Sequence, residues 1–278
     1  MDFLPFDFYE QVLMITARDE LFALRLSHLA RSPGTRADVF SKNRHIKQVN
    51  VTDGDEVEVR YVGINGNELR LKEYLPKYQE SAILDFVRMR HELPIEDKHR
   101  IREFLSEPGM HSLMFKGTIN DEWLTELSSW QSLRIICVWA GSEGRVQPFL
   151  RRLLHNKQLF ELQLTAYGYS NKRGIDLGME FLEQEQFLKL CYGWVAKSHI
   201  KRMLGQIRKQ KLTQKTVSWN GGFSLHGKKM KKIDRTEKDR LRYESSTCVM
   251  EYYNPVGTLA MGDDVFMGGV TKSLARFW

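Results

Sequence analysis

Leu133-Arg-Ile-Ile-Cys-Val-Trp139 is an apolar run of strand length, and a helical apolar pattern follows it from Val146 to Leu154. The same order of strand and helix occurs in other parts of the chain. These parts are a short strand at Leu113 to Phe115 with a helix around Glu122 to Ser128, a strand from Phe160 to Tyr167 with a helix around Ile175 to Glu185, a strand from Phe187 to Trp194 with a helix around His199 to Lys209, and a strand from Thr213 to Trp219. Strands that alternate with helices form parallel sheets, so the sequence predicts an α/β fold.

Aromatic residues close the main predicted strands at nearly regular intervals. Trp139, Tyr167, Trp194 and Trp219 lie 28, 27 and 25 residues apart. A strand–helix unit of roughly 20–29 residues has the period of leucine-rich repeats. Their consensus L-x-x-L-x-L-x-x-N is absent, and we therefore expect a β/α repeat domain that is only leucine-rich-repeat-like.

These aromatic residues allow two interpretations. They either fill the space between a strand and its following helix, or line a concave sheet face where a partner binds. In a regular strand Trp194 shares its face with Leu190 and Tyr192, which favours the core. The candidates for partner binding are Trp139, Tyr167, Trp194 and Trp219.

The region before these units has two further patterns. From residue 45 to 75, apolar and charged residues alternate around Asp53-Gly54 and Asn65-Gly66, which predicts a small antiparallel β-meander. From residue 77 to 106, apolar residues return to helical spacing and predict helix.

The first 43 residues predict helices. Pro5 suits a first helical turn because its missing N–H is not needed there, a second helix runs from Asp19 to Ala30, and Ser32-Pro33-Gly34-Thr35 ends it. The apolar face of this small hairpin either packs on the protein's own core or binds another protein. The candidate docking residues are Leu4, Pro5, Val12, Leu13, Leu21, Leu24 and Leu26.

This N-terminal pattern resembles an F-box. That family opens with Leu-Pro, continues with an amphipathic helix that contains an acidic residue and paired aliphatic residues, and follows with a leucine-rich helix. The matching residues are Leu4, Pro5, Glu10, Val12, Leu13, Leu21, Leu24 and Leu26. The stretch from Ser32 to Lys42 corresponds to the family's third helix, with Phe40 as its aromatic residue and Pro33-Gly34 as an interruption.

The resemblance implies a division into two domains. Residues 1–43 would dock on a Skp-type adaptor that leads to a cullin–RING ubiquitin ligase, and residues 44–278 would select an unknown protein substrate. A short F-box before a β/α repeat domain resembles F-box proteins with leucine-rich or FTH-type C-terminal domains. The join from Leu127 to Leu133 resembles the FTH type.

Positive charge is concentrated in one part of the chain. The net charge is +7, and the segment from Lys197 to Arg242 contains 15 Lys or Arg against 3 Asp or Glu. Its polar stretch 224–247 predicts a long exposed loop. Such a loop can be a solvated segment, a nuclear import signal, a phosphate contact or a surface for an acidic substrate. The candidate residues are Lys228, Lys229, Lys231 and Lys232.

Motifs of catalysis and cofactor binding are absent from the sequence. It contains no HExxH, no GxSxG and no Rossmann or P-loop glycine pattern, and its histidines form no ligand-spaced pair. We therefore expect no enzymatic activity, no cofactor and no metal. The widely spaced Cys137, Cys191 and Cys248 predict reduced, buried thiols in an intracellular protein. Without a signal peptide or an apolar run of about 20 residues, we expect a cytoplasmic or nuclear protein with no membrane partner.

The leading hypothesis is a substrate-recognition adaptor of a Skp–cullin–F-box type ubiquitin ligase, which acts by protein–protein interaction. Two alternatives stay open. One is a β/α repeat interaction protein without a ligase link, and the other is a nucleic-acid-binding protein that acts through basic residues 197–242.

Overall fold

A computed structural model describes most of the chain from residue 32 onward. The described residues are 32–51, 57–63, 67–69, 79–86, 110–116, 119, 121–139, 143–165, 169, 171–225, 229–233 and 237–278. Within these ranges the fold is mixed α/β, with six helices and twelve strands. It divides into two compact units, one that ends at Arg134 and one that begins at Ile135. The predicted boundary after residue 43 falls inside the first unit and stays a prediction.

The helices are α1 Ser32–Asn43, α2 Asp121–Ser128, α3 Glu143–Asn156, α4 Lys172–Leu182, α5 Lys197–Gln210 and α6 Asp263–Gly268. The strands are β1 His45–Val51, β2 Val57–Gly63, β3 Gln79–Phe86, β4 Met110–Phe115, β5 Leu133–Val138, β6 Glu161–Leu164, β7 Lys189–Tyr192, β8 Lys215–Asn220, β9 Lys231–Ile233, β10 Arg240–Glu244, β11 Cys248–Tyr253 and β12 Lys272–Phe277. Among the helices described here, none combines the length and the apolar character needed to cross a bilayer.

The first unit contains the sheet order β2-β1-β3-β4. β1 and β2 pair antiparallel, as the alternating pattern predicts, and Val62 adds one antiparallel bridge to Glu68. On its other side β1 pairs in parallel with β3, which pairs in parallel with β4. The meander prediction is therefore confirmed for its first hairpin, and Leu71 lies outside the described residues.

The prediction of a helix from residue 77 is wrong for residues 79–86, which form strand β3. Ala82, Leu84 and Phe86 are buried on one face of this strand, and Asp85 is buried on the other. The three consecutive apolar residues Ala82-Ile83-Leu84 break the two-residue alternation that marks a strand, so the pattern did not distinguish this segment from helix. The rest of the predicted helix, from residue 87 to 106, lies outside the described residues.

Helix α1 begins at Ser32, so the predicted interruption at Pro33-Gly34 is also wrong. Pro33 lies in the first helical turn, where a missing N–H leaves no intrahelical bond unmade. Ala37 and Phe40 are buried. All seven predicted docking residues, Leu4, Pro5, Val12, Leu13, Leu21, Leu24 and Leu26, lie outside the described residues, and their role stays a prediction.

The second unit contains the order β5-β6-β7-β8-β12-β11-β10-β9. Neighbouring strands from β5 to β8 are parallel, and those from β8 to β9 are antiparallel. The predicted alternation of strand and helix is therefore confirmed here, with α3, α4 and α5 as the connections. Arg151 of α3 pairs with Glu180 of α4, and Arg202 of α5 pairs with Asp176 of α4 at 2.6 Å, so the three helices lie side by side.

Gly178 lets α4 approach β7 closely. Asn171 caps this helix by accepting the Gly174 backbone N–H at 3.0 Å. The buried Tyr192 hydroxyl donates to the Gly174 carbonyl at 3.1 Å, and a Cβ at Gly178 would collide with the same hydroxyl. Burial raises the pKa of Tyr192, so it remains a neutral donor.

The polar stretch 224–247 is not one long loop, because it contains β9 and β10. Leu241 and Tyr243 are buried on one side of β10, while Arg242 and Glu244 lie on the other. The charged residues at alternating positions hid this strand from a composition-based prediction. The apolar run Val249 to Tyr253 near the end of the sequence predicts one more strand, and β11 confirms it. β12 inserts between β8 and β11 as a further strand.

Candidate partner-binding face

The sheet of the second unit has one apolar face and one polar face. The apolar face packs under α3, α4 and α5, and its side chains are buried. They include Ile136, Val138, Leu162, Leu164, Leu190, Tyr192, Val217 and Trp219. Because side chains alternate across a strand, the residues between these positions lie on the opposite side.

We call that opposite side the polar face and define it by three rows of residues that pair across the strands. The first row is Ile135, Glu161, Lys189, Thr216, Arg276, Val249 and Glu244. The second row is Cys137, Gln163, Cys191, Ser218, Leu274, Glu251 and Arg242. The third row is Asn220, Lys272, Tyr253 and Arg240.

The parallel part of the polar face contains a chain of hydrogen bonds. The Trp139 indole N–H donates to the Cys137 sulfur at 2.9 Å, and the Cys137 thiol donates to the Gln163 amide oxygen at 3.5 Å. The Gln163 amide nitrogen donates to the Glu161 carboxylate at 2.7 Å, and the Lys189 ammonium lies 2.8 Å from the same oxygen. These contacts fix the orientation of most polar side chains in the parallel part of the polar face.

The cysteines are thiols and form no disulfide, and the structure describes all three of them. Burial raises the pKa of Cys191 and of Cys248. A raised pKa keeps both thiols protonated near neutral pH, where they are poor nucleophiles. These two side chains therefore suit packing and hydrogen bonding rather than covalent chemistry.

The antiparallel part of the polar face surrounds the buried carboxylate of Glu251. Its oxygens accept from the Tyr253 hydroxyl at 3.1 Å and from Arg240 at 3.4 Å, and the Arg276 guanidinium forms an ion pair with it at 3.5 Å. The Arg240 guanidinium also lies over the Tyr253 ring, 5.3 Å from its centroid. Burial and the Glu251 charge raise the pKa of Tyr253, which therefore stays a donor to that carboxylate.

Two tryptophans stand at the end of the parallel strands, and the core interpretation is wrong for both. Trp139 follows β5 with 45% of its surface exposed, and Trp194 follows β7 with 59% exposed. β7 ends at Tyr192, and Gly193 bends against the Thr165 carbonyl, where a Cβ would lie 2.6 Å from the oxygen. The alternation used to place Trp194 in the core therefore does not reach it.

The other two aromatic candidates have different outcomes. Trp219 is 1% exposed and stacks on Phe223 at 6.2 Å, so it lies in the core. Its side chain is not available to a partner in this conformation. Tyr167 lies outside the described residues, and its role stays a prediction.

The predicted lysine patch is divided. Lys229, Lys231 and Lys232 are exposed, and Lys228 lies outside the described residues. The Lys232 ammonium bonds to Asp263 at 2.8 Å, and the Tyr243 hydroxyl donates to the same carboxylate at 3.2 Å. Lys232 therefore helps to hold β9 and β10 to α6.

The rest of the basic segment 197–242 does not form one surface with these lysines. Lys197 and Lys201 lie on the outside of α5, above the apolar face of the sheet. Lys215 is buried, and its ammonium donates to the carbonyls of Gln184, Glu185 and Phe187 at 2.8, 3.2 and 2.6 Å. Some of the positive charges in this segment, such as Lys215 and Lys232, therefore stabilise the fold.

The sequence interpretation missed the arginines of the polar face. Arg240, Arg242, Lys272 and Arg276 come from two strands that had not been recognised. The alternation Arg240-Leu-Arg-Tyr-Glu244 was a usable signal, because Leu241 and Tyr243 supply a buried side of period two. Within the described ranges, no group of His, Cys, Asp or Glu side chains is arranged to hold a metal ion.

The chain was compared with protein families, curated proteins and solved structures. No protein-family model matches the chain, and neither a curated protein nor a solved structure shows significant similarity to it.

Proposed function

We propose that the protein is a non-catalytic substrate-recognition subunit of F-box type. In this proposal residues 1–43 dock on a Skp-type adaptor of a cullin–RING ubiquitin ligase, and the second unit binds a protein substrate through its polar face. The protein acts by proximity, because it holds a substrate near a ligase that its partners supply. Its place of action is the cytoplasm, the nucleus or both.

The observation that carries the binding role is the exposure of Trp139 and Trp194 at one end of the parallel strands. Full burial of a large apolar side chain is worth about 1.5–3 kcal/mol, and each of these indoles leaves about half of its surface in water. Tryptophan is enriched among the residues that dominate protein–protein binding energy. The two side chains follow β5 and β7, which are two strand spacings or about 10 Å apart.

The connectivity of the second unit supports a repeat-like recognition domain. β5, β6, β7 and β8 are spatial neighbours in chain order, and one helix separates each strand from the next. Stacked units of this kind place successive strands side by side and build an extended binding surface. This supports the leucine-rich-repeat-like or FTH-type assignment.

Two observations support the F-box assignment. The Leu-Pro opening and the aliphatic residues that follow it resemble the family's docking helices. In addition, α1 is an uninterrupted helix from Ser32 to Asn43, where the family has its third helix. Pro33-Gly34 therefore does not count against the resemblance.

A pull-down of the full-length chain with a Skp-type adaptor tests the ligase link. We expect the wild type to recover the adaptor, and the double variant Leu13→Asp, Leu24→Asp to lose it, because a charged group in an apolar contact must be desolvated without a partner. The control variant Trp139→Ala, Trp194→Ala should recover the adaptor normally. No recovery with the wild type, or equal recovery with the leucine variant, contradicts the assignment.

The first alternative is an interaction protein of the same fold without a ligase link. The burial of Ala37 and Phe40 favours it, because α1 already uses its apolar side within the first unit. In that case the helices before α1 extend the core instead of binding an adaptor. The polar face would keep its role, and the adaptor would not be recovered by any variant.

A further inference from the structure

We propose that the antiparallel part of the polar face binds an acidic peptide segment of the protein partner. This inference rests on the proposed substrate-binding role of the second unit and names the chemical class of its substrate. The binding residues are Arg242, Lys272 and Arg276, with Arg240 and Glu251 as their support.

The charges of the polar face are unequal. Its three rows contain the cations Lys189, Arg240, Arg242, Lys272 and Arg276 against the carboxylates Glu161, Glu244 and Glu251. The carboxylates already contact Lys189, Arg242, Arg240 and Arg276 from within this set. Glu237 also pairs with Arg240 at 2.9 Å, so the excess of positive charge on the β10 and β12 side lies at Lys272 and Arg276.

The buried Glu251 orders the cations around it. Arg240 and Arg276 approach its oxygens at 3.4 and 3.5 Å, which is longer than the roughly 2.7–2.9 Å of a strong charge-assisted hydrogen bond. Arg240 also pairs with Glu237 at 2.9 Å and therefore acts as support. The Arg276 guanidinium has five N–H donors, so its contact with Glu251 leaves donor capacity for a ligand carboxylate. The Arg276 side chain is 54% exposed, and Lys272 is also exposed.

The geometry favours a peptide over a nucleic acid. Glu161 of β6 lies between β12 and Trp139 and would repel a phosphate placed there. A nucleic acid carries a phosphate at every step, whereas a peptide can carry its acidic groups at one end only. From β12 to β5 the sheet spans four strand spacings, or about 19 Å. An extended peptide of about six residues covers this distance, so one segment can place acidic groups at β12 and an apolar group at Trp139.

Fluorescence anisotropy of the full-length protein with a labelled glutamate peptide, made of four glutamates followed by six serines, tests this proposal at low ionic strength. A glutamine peptide with glutamine at the same four positions and a labelled single-stranded DNA serve as comparison probes. The test variant is Lys272→Gln, Arg276→Gln. The matched control is Lys197→Gln, Lys201→Gln, which removes the same charge from the opposite side of the sheet. Loss of the Arg276–Glu251 contact can lower the stability of the double variant Lys272→Gln, Arg276→Gln. Lys272→Gln alone, which changes only an exposed side chain, is therefore the second variant.

We expect the glutamate peptide to bind, the test variant to weaken it about fivefold to tenfold, and the control to change it less than about twofold. The glutamine peptide should not bind. Equal weakening by test and control variants, or tighter binding of the DNA with the same dependence on Lys272, overturns the proposal. The outcome is distinct from failure of the proposed function, because adaptor recovery and the tryptophan variants do not involve these two cations.

Discussion

At the scale of single residues, Lys215 shows how one buried charge can connect separate segments. Its ammonium donates to three carbonyls in the turn between α4 and β7, while its backbone belongs to β8. Burial lowers the pKa of Lys215, and the nearby Glu185 charge opposes that change. The three carbonyls supply the hydrogen bonds that a buried ammonium needs.

Replacing Lys215 with Met should lower the free energy of unfolding by about 2–3 kcal/mol, because three buried carbonyls lose their charged donor. Urea unfolding followed by circular dichroism measures the change. Lys201→Met on the outer side of α5 is the control and should change stability by less than about 0.5 kcal/mol. Equal stability of the two variants would show that the Lys215 hydrogen bonds contribute nothing net.

Gly178→Ala should also destabilise the protein, by about 1–3 kcal/mol, because the added methyl group collides with the Tyr192 hydroxyl and the Leu190 side chain. Gly205 provides a matched control in a neighbouring helix, since a Cβ there meets no atom within 4 Å. Gly205→Ala should stabilise by up to about 1 kcal/mol through helix propensity. Thermal melts of both variants measure the opposite signs. A shift of the same sign in both would contradict the close packing of α4 on β7.

Of the two interpretations that the sequence allowed, the core interpretation was right for Trp219 and wrong for Trp139 and Trp194. All three end predicted strands, and the sequence pattern around them is similar. What separates them is where each strand stops pairing, which depends on neighbours far away in sequence. Trp219 stays within β8 because β12 pairs with it through Ser273, whereas Trp194 lies beyond the end of β7.

At the scale of elements, local pattern was sufficient where a strand has one polar and one apolar face or follows a clear helix. β5 to β8 and α3 to α5 were predicted on this basis. β3 was mistaken for helix because the consecutive apolar residues Ala82-Ile83-Leu84 break its alternation, and β10 was mistaken for loop because charges occupy its polar face. The alternation in β10 was a usable signal for its strand, but the position of β12 in the polar face was beyond prediction, since β12 inserts between β8 and β11.

The contact of β10 with α6 should weaken in alkali. Burial and the nearby Asp263 raise the pKa of Tyr243 to about 12, above the ordinary value of about 10 in an unfolded chain. A raised pKa means that the protonated phenol stabilises the fold fully below about pH 10, and this contribution is lost as the pH rises towards 12.

We therefore expect the stability of the wild type to fall more steeply between about pH 10 and 12 than that of Tyr243→Phe, which cannot ionise at this position. Urea midpoints measured across this range provide the comparison. The variant should start lower, because it lacks the hydrogen bond to Asp263. Parallel pH profiles for the two proteins would exclude Tyr243 as a source of the alkaline loss.

At the scale of the whole molecule, the proposal assigns different partners to the N-terminal helices and to the second unit. The described residues begin at α1, whose Ala37 and Phe40 are buried in the first unit. A truncation that separates docking from folding should therefore start at Ser32, not after residue 43. Removal of α1 would expose the surface that these two side chains cover.

Deletion of residues 1–31 should leave the melting temperature within about 2 °C of the wild type and abolish adaptor binding, if those residues form a docking module. Differential scanning calorimetry and the adaptor pull-down give the two readouts. A large drop in melting temperature, or an insoluble product, would instead show that the N-terminal helices belong to the core and would favour the interaction protein without a ligase link.

Titration calorimetry with a purified Skp-type adaptor tests the central claim most directly. It measures whether the adaptor binds the N-terminal leucines and not the two exposed tryptophans proposed to bind substrate. The proteins compared are the wild type, Leu13→Asp with Leu24→Asp, and Trp139→Ala with Trp194→Ala. We expect the wild type and the tryptophan variant to bind the adaptor with the same Kd, and the leucine variant to show no heat of binding. Absence of binding by the wild type, or equal weakening by the leucine and tryptophan variants, would contradict the claim.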